Sequence, residues 1–179
     1  SFTASVGTIS SETYTVEDCI YYHDMTSADS THWTIPSSAN ATYSSDGMKL
    51  QGSSWSDCYL EIPLSKPYSV EFDLTQYTGS TTYMHYWYDT SKSRLFNMYK
   101  NDASKTILDQ YPTNANGWNG TIPQGSHVKI EINSDNVKLY VDDDFKVSKT
   151  YTMPSSSLFG VTTNTNRTTT WKNMKIKPL

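Results

Sequence analysis

A chain of 179 residues is long enough for one domain that buries roughly 70% of its unfolded surface. Its formal net charge is −4, with 14 Lys and Arg scattered among 18 Asp and Glu, so no basic stripe exists to neutralise phosphates and nucleic acid is excluded as an expected partner. Apolar runs stay short of the ~20 residues of a spanning helix, so membrane insertion is not expected either.

Residues 1–13, "SFTASVGTISSET", are small and hydroxylated and read as a linker or arm. Residues 14–179 read as one domain, and the whole as part of a longer chain or assembly. From "YTVEDCIYY" onward, short runs alternate apolar with polar: "GMKLQ", "CYLEIPL", "YSVEFDLTQY", "TYMHYWYD", "RLFNMYKN", "HVKIEINSD", "NVKLYVDDDFKVS", "SLFGVTT" and "TTTWKNMKIKPL". Turn formers such as "SSDG", "DTSKS" and "MPSSS" separate them. No fixed-period repeat and no amphipathic helix emerges. About ten short strands at this spacing predict an all-β sandwich or barrel.

The clearest unit is a hairpin. Val128, Ile130 and Ile132 alternate with polar residues, and so do Val137, Leu139 and Val141 across "NSDN". "DDD" turns the chain again, because Asp tolerates the left-handed conformation, and Phe145 and Val147 open the next strand. Cys19 and Cys58 suit either one disulfide or two small thiols. Trp33 and Trp171 lie in short apolar contexts and are assigned to the core or its rim.

One strand breaks the alternation. In "TTYMHYWYD", Met84, Tyr86 and Tyr88 form one row and Tyr83, His85 and Trp87 the other. Histidine suits an oily interior poorly. Met84, Tyr86 and Tyr88 are therefore assigned to the core with Phe96 and Met98. Tyr83, His85 and Trp87 are expected to face out beside Asn97 and Tyr99. The opposite register would expose Tyr86 and Tyr88 instead, and a covering loop or neighbour would bury both rows.

The Gly-x-His loop, "VKIEI", "VKLYVDD" and the terminal "WKNMKI" resemble the concanavalin A-like jelly roll, the superfamily of laminin G-like domains, legume-type lectins, family 16 glucanases and many carbohydrate-binding modules. "YYHDMTSADSTHWTI", "DGMKLQG" and "KPYSVEFDLTQY" resemble its early strands, and the likeness covers residues 14–179. It implies an antiparallel β-sandwich and leaves activity open. The glucanases carry Glu-x-Asp-x(-x)-Glu on one strand. Here Glu71 and Asp73 match, but Thr75 and Gln76 stand where the second Glu belongs. Gln cannot donate and recover a proton, so double displacement fails and no catalytic residue is expected.

His23, His32, His85 and His127 lack zincin spacing, and no GxSxG elbow occurs. No cofactor is required. Asp24 and Asp29 amid hydroxyls admit a structural calcium, or simply a loop of capped turns. Three sequons, at Asn40, Asn119 and Asn166, are expected by chance in so Thr-rich a chain.

Sugars pack a C–H face on aromatic rings and need fixed polar partners at their edges. Tyr83, His85, Trp87, Asn97 and Tyr99, beside Glu71 and Asp73 on the preceding strand, are the expected ligand residues. Trp118 and Trp55, in loops, would act as lips over the groove or as plugs at the end of the sandwich. The expected function is a non-catalytic, lectin-like module that attaches a larger extracellular, cell-surface or virion-surface protein to a polysaccharide or cell-surface glycan. Receptor binding by a phage fibre, adhesion, and service to a polysaccharide-degrading enzyme all fit. The alternatives are a protein–protein assembly domain with an aromatic interface, and a glycoside hydrolase or lyase with an unrecognised site.

Overall fold

Period-2 patterning closes the chain into two antiparallel sheets. The computed structural model describes residues 19–78, 81–101, 109–110, 118, 120–151, 153–164 and 167–179, of which 81–84, 99–101 and 109–110 as backbone only. The strands are β1 (Tyr21–His23), β2 (Trp33–Thr34), β3 (Ala39–Ser44), β4 (Gly47–Gly52), β5 (Ser56–Ser65), β6 (Tyr68–Thr78) and β7 (Thr81–Tyr88). They continue as β8 (Arg94–Asn101), β9 (Asp109–Gln110), β10 (Ser126–Ile132), β11 (Asn136–Val141), β12 (Asp144–Thr150), β13 (Ser156–Thr163) and β14 (Thr168–Pro178). The eight-stranded sheet runs β12-β11-β10-β6-β14-β4-β3, with β1 paired to β14, and the six-stranded sheet runs β2-β5-β13-β7-β8-β9. This is the expected all-β sandwich. The proposed arm, residues 1–13, lies outside the described residues.

The hairpin forms as its pattern dictates. Val128 faces Val141, Ile130 faces Leu139 and Ile132 faces Val137, and all six are buried in the core. Asp142 (φ 52°) and Asp143 (φ 65°) take the left-handed turn. The eight-stranded sheet adds Val70, Phe72 and Leu74 from β6 and Trp171, Met174 and Ile176 from β14. The facing sheet supplies Cys58, Leu60, Phe96, Met98, Phe159 and Val161, and Trp33 joins the same core. Cys19 and Cys58 are free thiols. Burial, then the charge of Asp57, pushes the Cys58 thiol up to about 12.

The aromatic strand corrects the expected register. His85 and Trp87 are fully buried between the sheets, while Tyr86 and Tyr88 form a separate cluster with Leu158 on the opposite face. The side chains of Tyr83, Met84 and Tyr99 lie outside the described residues. The reason is shape. Trp87 stacks on Phe96 (4.6 Å, 11°), which stacks on Tyr151 (5.2 Å, 10°). His85 lies flat on Phe72 (4.6 Å, 20°) and edge-on to Trp171 (5.3 Å). Neither His85 ring nitrogen has a hydrogen-bond partner among the described residues, and burial lowers its pKa to about 3. It is a neutral flat ring used as an aromatic spacer.

Two outcomes are expected. Trp87→Ala should cost about 3–5 kcal/mol in a urea titration, as for any core Trp truncation. His85 makes stability depend on pH. Its folded value lies below the ordinary ~6.5, so between the two the unfolded chain holds a proton that the folded chain refuses. Its contribution is complete above about pH 6.5 and is lost as pH falls toward 3. Wild-type stability should then fall more steeply than that of His85→Leu from pH 6 to pH 4, by up to about 1.4 kcal/mol per pH unit. Parallel curves would refute this account.

Candidate ligand-binding face

The outer face of the six-stranded sheet follows from the corrected register. With Cys58 and Leu60 of β5 turned inward, Asp57 and Tyr59 turn out. Strand pairing then sets rows across the sheet. Tyr59 lies opposite Gly160, Gly160 opposite Tyr86, and Tyr86 opposite Asn97. Asp57 lies opposite Thr162, and Tyr88 sits between Leu158 and Arg94. Gly160 is required here. A Cβ on it would stand 2.9 Å from the Tyr88 ring and 2.4 Å from the Cys58 carbonyl oxygen. Its bare backbone lets Tyr88 lie down and meet Tyr59 edge-on at 4.9 Å.

Over this aromatic floor runs a charged network. The Arg94 guanidinium lies 4.6 Å above the Tyr86 ring and donates to Asp57 at 2.7 Å and to Thr162 at 3.4 Å. Thr162 donates to Asp57, and the Tyr88 hydroxyl lies 3.3 Å from that of Thr162. Lys92 sits 4.5 Å over the Tyr59 ring and pairs with Glu61 at 2.7 Å. Burial would lower the Arg94 pKa, but the hydrogen bond and charge of Asp57 outweigh it and hold the guanidinium firmly charged. Burial, then Asp57, pushes Tyr59 up to about 12 and Tyr88 upward as well, so both phenols stay protonated and can donate. Asp57 and Arg94 each keep 24% side-chain exposure, enough to meet a solute.

Those expected ligand residues whose side chains are described do not converge. His85 and Trp87 point into the core. Asn97 does lie on the outer face, opposite Tyr86, but is only 3% exposed. Glu71 and Asp73 belong to the other sheet, because β6 and β7, consecutive in the chain, fall in different sheets. There both are partly buried and engaged with neighbours. Glu71 lies 3.6 Å from Lys177, and Asp73 accepts from Asn173 at 2.6 Å and contacts His127 at 2.9 Å. Trp118 is partly buried against the core cluster, its ring where a Cβ on Gly120 would stand. Trp55 is 50% exposed beneath Arg167, 5.5 Å away.

Sequence reasoning missed Asp57, Tyr59, Arg94 and Thr162. The alternation in "DCYLE" carried a signal for the first two, since Cys58 and Leu60 claim the core. Asp24 accepts from the Thr26 amide at 2.9 Å, and no group of three or more His, Cys, Asp or Glu among the described residues is arranged to hold a metal ion. Asn40 is exposed on β3, and the other two sequons lie outside the described residues.

No family model and no curated protein matches the chain. Solved structures do. The carbohydrate binding module CBM66 from Bacillus subtilis superposes with a TM-score of 0.58 at 16% identity, over 82% of this chain and 95% of that one. An apo Crh5 transglycosylase gives 0.64 at 9% identity, over 88% and 83%. A protein of unknown function with a galectin-like fold from Bacillus subtilis gives 0.59 at 8%, over 89% and 96%. Identities this low speak to architecture, and together with the two antiparallel sheets they establish that this chain has the concanavalin A-like jelly-roll fold.

Proposed function

We propose that the protein is a non-catalytic glycan-binding module whose ligand face is the outer surface of the six-stranded sheet. The observation that carries this reading is the Asp57–Arg94–Thr162 network laid over Tyr59, Tyr86 and Tyr88. A face turned away from the core has no packing need for half-buried, mutually fixed charges. Sugar hydroxyls are donors and acceptors at once, and they match a carboxylate beside a guanidinium and phenol hydroxyls. The similar solved structures, a carbohydrate binding module among them, add support. They include a transglycosylase too. Against catalysis here, Glu71 and Asp73 lie on the other sheet, and among the described residues of the ligand face Asp57 is bound to Arg94 and Glu61 to Lys92, so these offer no carboxylate pair free for acid/base work. The module would hold a larger extracellular, cell-surface or virion-surface protein to a polysaccharide.

The test is a glycan array followed by affinity electrophoresis in plant, fungal and bacterial polysaccharides. Asp57→Asn should weaken binding about 10–100-fold, the worth of one charged hydrogen bond of about 1.5–3 kcal/mol. Glu71→Gln, on the opposite sheet, should change nothing, and no reducing sugar should be released from any bound polysaccharide. Binding lost with Glu71→Gln and kept with Asp57→Asn would put the site on the wrong face. Turnover would overturn the non-catalytic reading.

A further inference from the structure

A separate groove of about 470 Å³ opens beside β1, lined by Ile20, Tyr21, Tyr22, His23, Asp29 and His32 among others. It shares no residue with the network of the six-stranded sheet. A chain of hydrogen bonds sets its chemistry. Trp33 Nε1 donates to the Tyr21 hydroxyl at 3.1 Å, and that hydroxyl donates to Asp29 Oδ2 at 2.9 Å. Asp29 also accepts from the His32 amide at 3.3 Å and contacts His32 Nδ1 at 2.8 Å. Burial would raise the Asp29 pKa, but the His32 and Tyr21 hydrogen bonds outweigh it and hold the carboxyl below the usual range. An ionised carboxylate can only accept, so His32 Nδ1 carries a proton, and in the neutral ring Nε2 is left as an acceptor.

His23 is fixed the other way. Its Nδ1 accepts the Met25 amide at 2.9 Å, a contact made by a left-handed turn at Met25 (φ 65°). The proton of the neutral ring therefore sits on Nε2, a donor. With both rings neutral, one groove thus carries two imidazoles whose hydrogen bonds favour opposite tautomers, one an acceptor and the other a donor. Two metal-ligating imidazoles would each need an unprotonated nitrogen facing the ion, which His23 Nε2 does not offer. A pair of hydroxyls needs one of each. Tyr22 (49% exposed) and Ile20 (40% exposed) also line the groove.

We propose that this groove is a second, independent saccharide-binding site. One sugar hydroxyl donates to His32 Nε2, another accepts from the His23 Nε2 proton, and the C–H face of the ring rests on Tyr22 and Ile20. The volume is in the ordinary range for a small-ligand pocket, roughly 300–1,000 Å³.

Imidazole nitrogen NMR on the full chain tests this directly. In the free protein His32 should show the Nδ1-protonated tautomer and His23 the Nε2-protonated one, and the reverse assignment at either residue would overturn the proposal. Methyl glycosides of glucose, galactose, mannose, fructose and N-acetylglucosamine are then titrated to tens of millimolar. At least one should shift both imidazoles saturably. The shift should persist in Asp57→Asn, which disables the other face, and weaken at least ten-fold in His32→Phe, a partly exposed position where the fold should survive. Should His32→Phe misfold, Asp29→Asn, which unlocks the tautomer, should weaken the shift in its place. No saturable shift with any glycoside, a shift abolished by Asp57→Asn, or saturation by zinc alone would each sink the idea. Failure of the array together with success here would reject the first face and keep this groove.

Discussion

The rest of the molecule depends on the aromatic seam between the sheets, and His85 is its least ordinary member. Its ring lies flat against Phe72 and is flanked by Phe159 and Trp171. Leaving a buried polar atom unpaired costs about 1–3 kcal/mol. What offsets the cost is fit. A neutral imidazole is thin and flat, so it fills a gap between stacked rings that a branched aliphatic side chain would not match. Seating His85 and Trp87 inward fixes the parity of β7. Through strand pairing, that parity then dictates what lines the outer face from Asp57 to Asn97.

Parity explains which parts of the structure were legible in the sequence. The hairpin of Val128–Ile132 and Val137–Val141 has one oily face and one wet face, so its period-2 signal is unambiguous. The same holds for Val70, Phe72 and Leu74. β7 has neighbours on both edges and residues 85–88 are buried on both faces, so its sequence carries bulky side chains at every position from 83 to 88 and no period survives. The polarity of His85 then pointed the wrong way, because a histidine that stays neutral behaves as an aromatic ring. Placing Glu71 and Asp73 beside the aromatic row failed for a second reason. Adjacency in sequence suggests adjacency in a sheet, and this jelly roll carries the chain from one sheet to the other between β6 and β7. The histidine groove was hidden in "YYHDMTSADSTHW" because a tautomer is set by partners that only folding brings together.

The two outward faces solve different problems. On the eight-stranded sheet, Glu71 meets Lys177, Glu131 meets Lys129 and Lys138, and Asp73 meets His127. These pairs cover the outer face of that sheet with charge of both signs. On the six-stranded sheet Asp57 and Arg94 lie among rings, where each depends on the next. Arg94 needs Asp57 to stay charged without penalty, Asp57 is held by Thr162, and Thr162 is met by Tyr88.

That interdependence bears on how the face would recognise anything. Groups already fixed by one another lose little freedom when a ligand arrives, which lowers the entropic cost of association. They also offer few unsatisfied positions, so each new contact must share an atom already engaged. Stacking is restricted in the same way, since Lys92 lies over Tyr59 and Arg94 over Tyr86. A ligand here would meet the edges of rings and the flanks of an ion pair rather than an open aromatic platform. Shape and hydroxyl geometry would then decide which sugar is held, and affinity would rise mainly through several such modules engaging one polymer together.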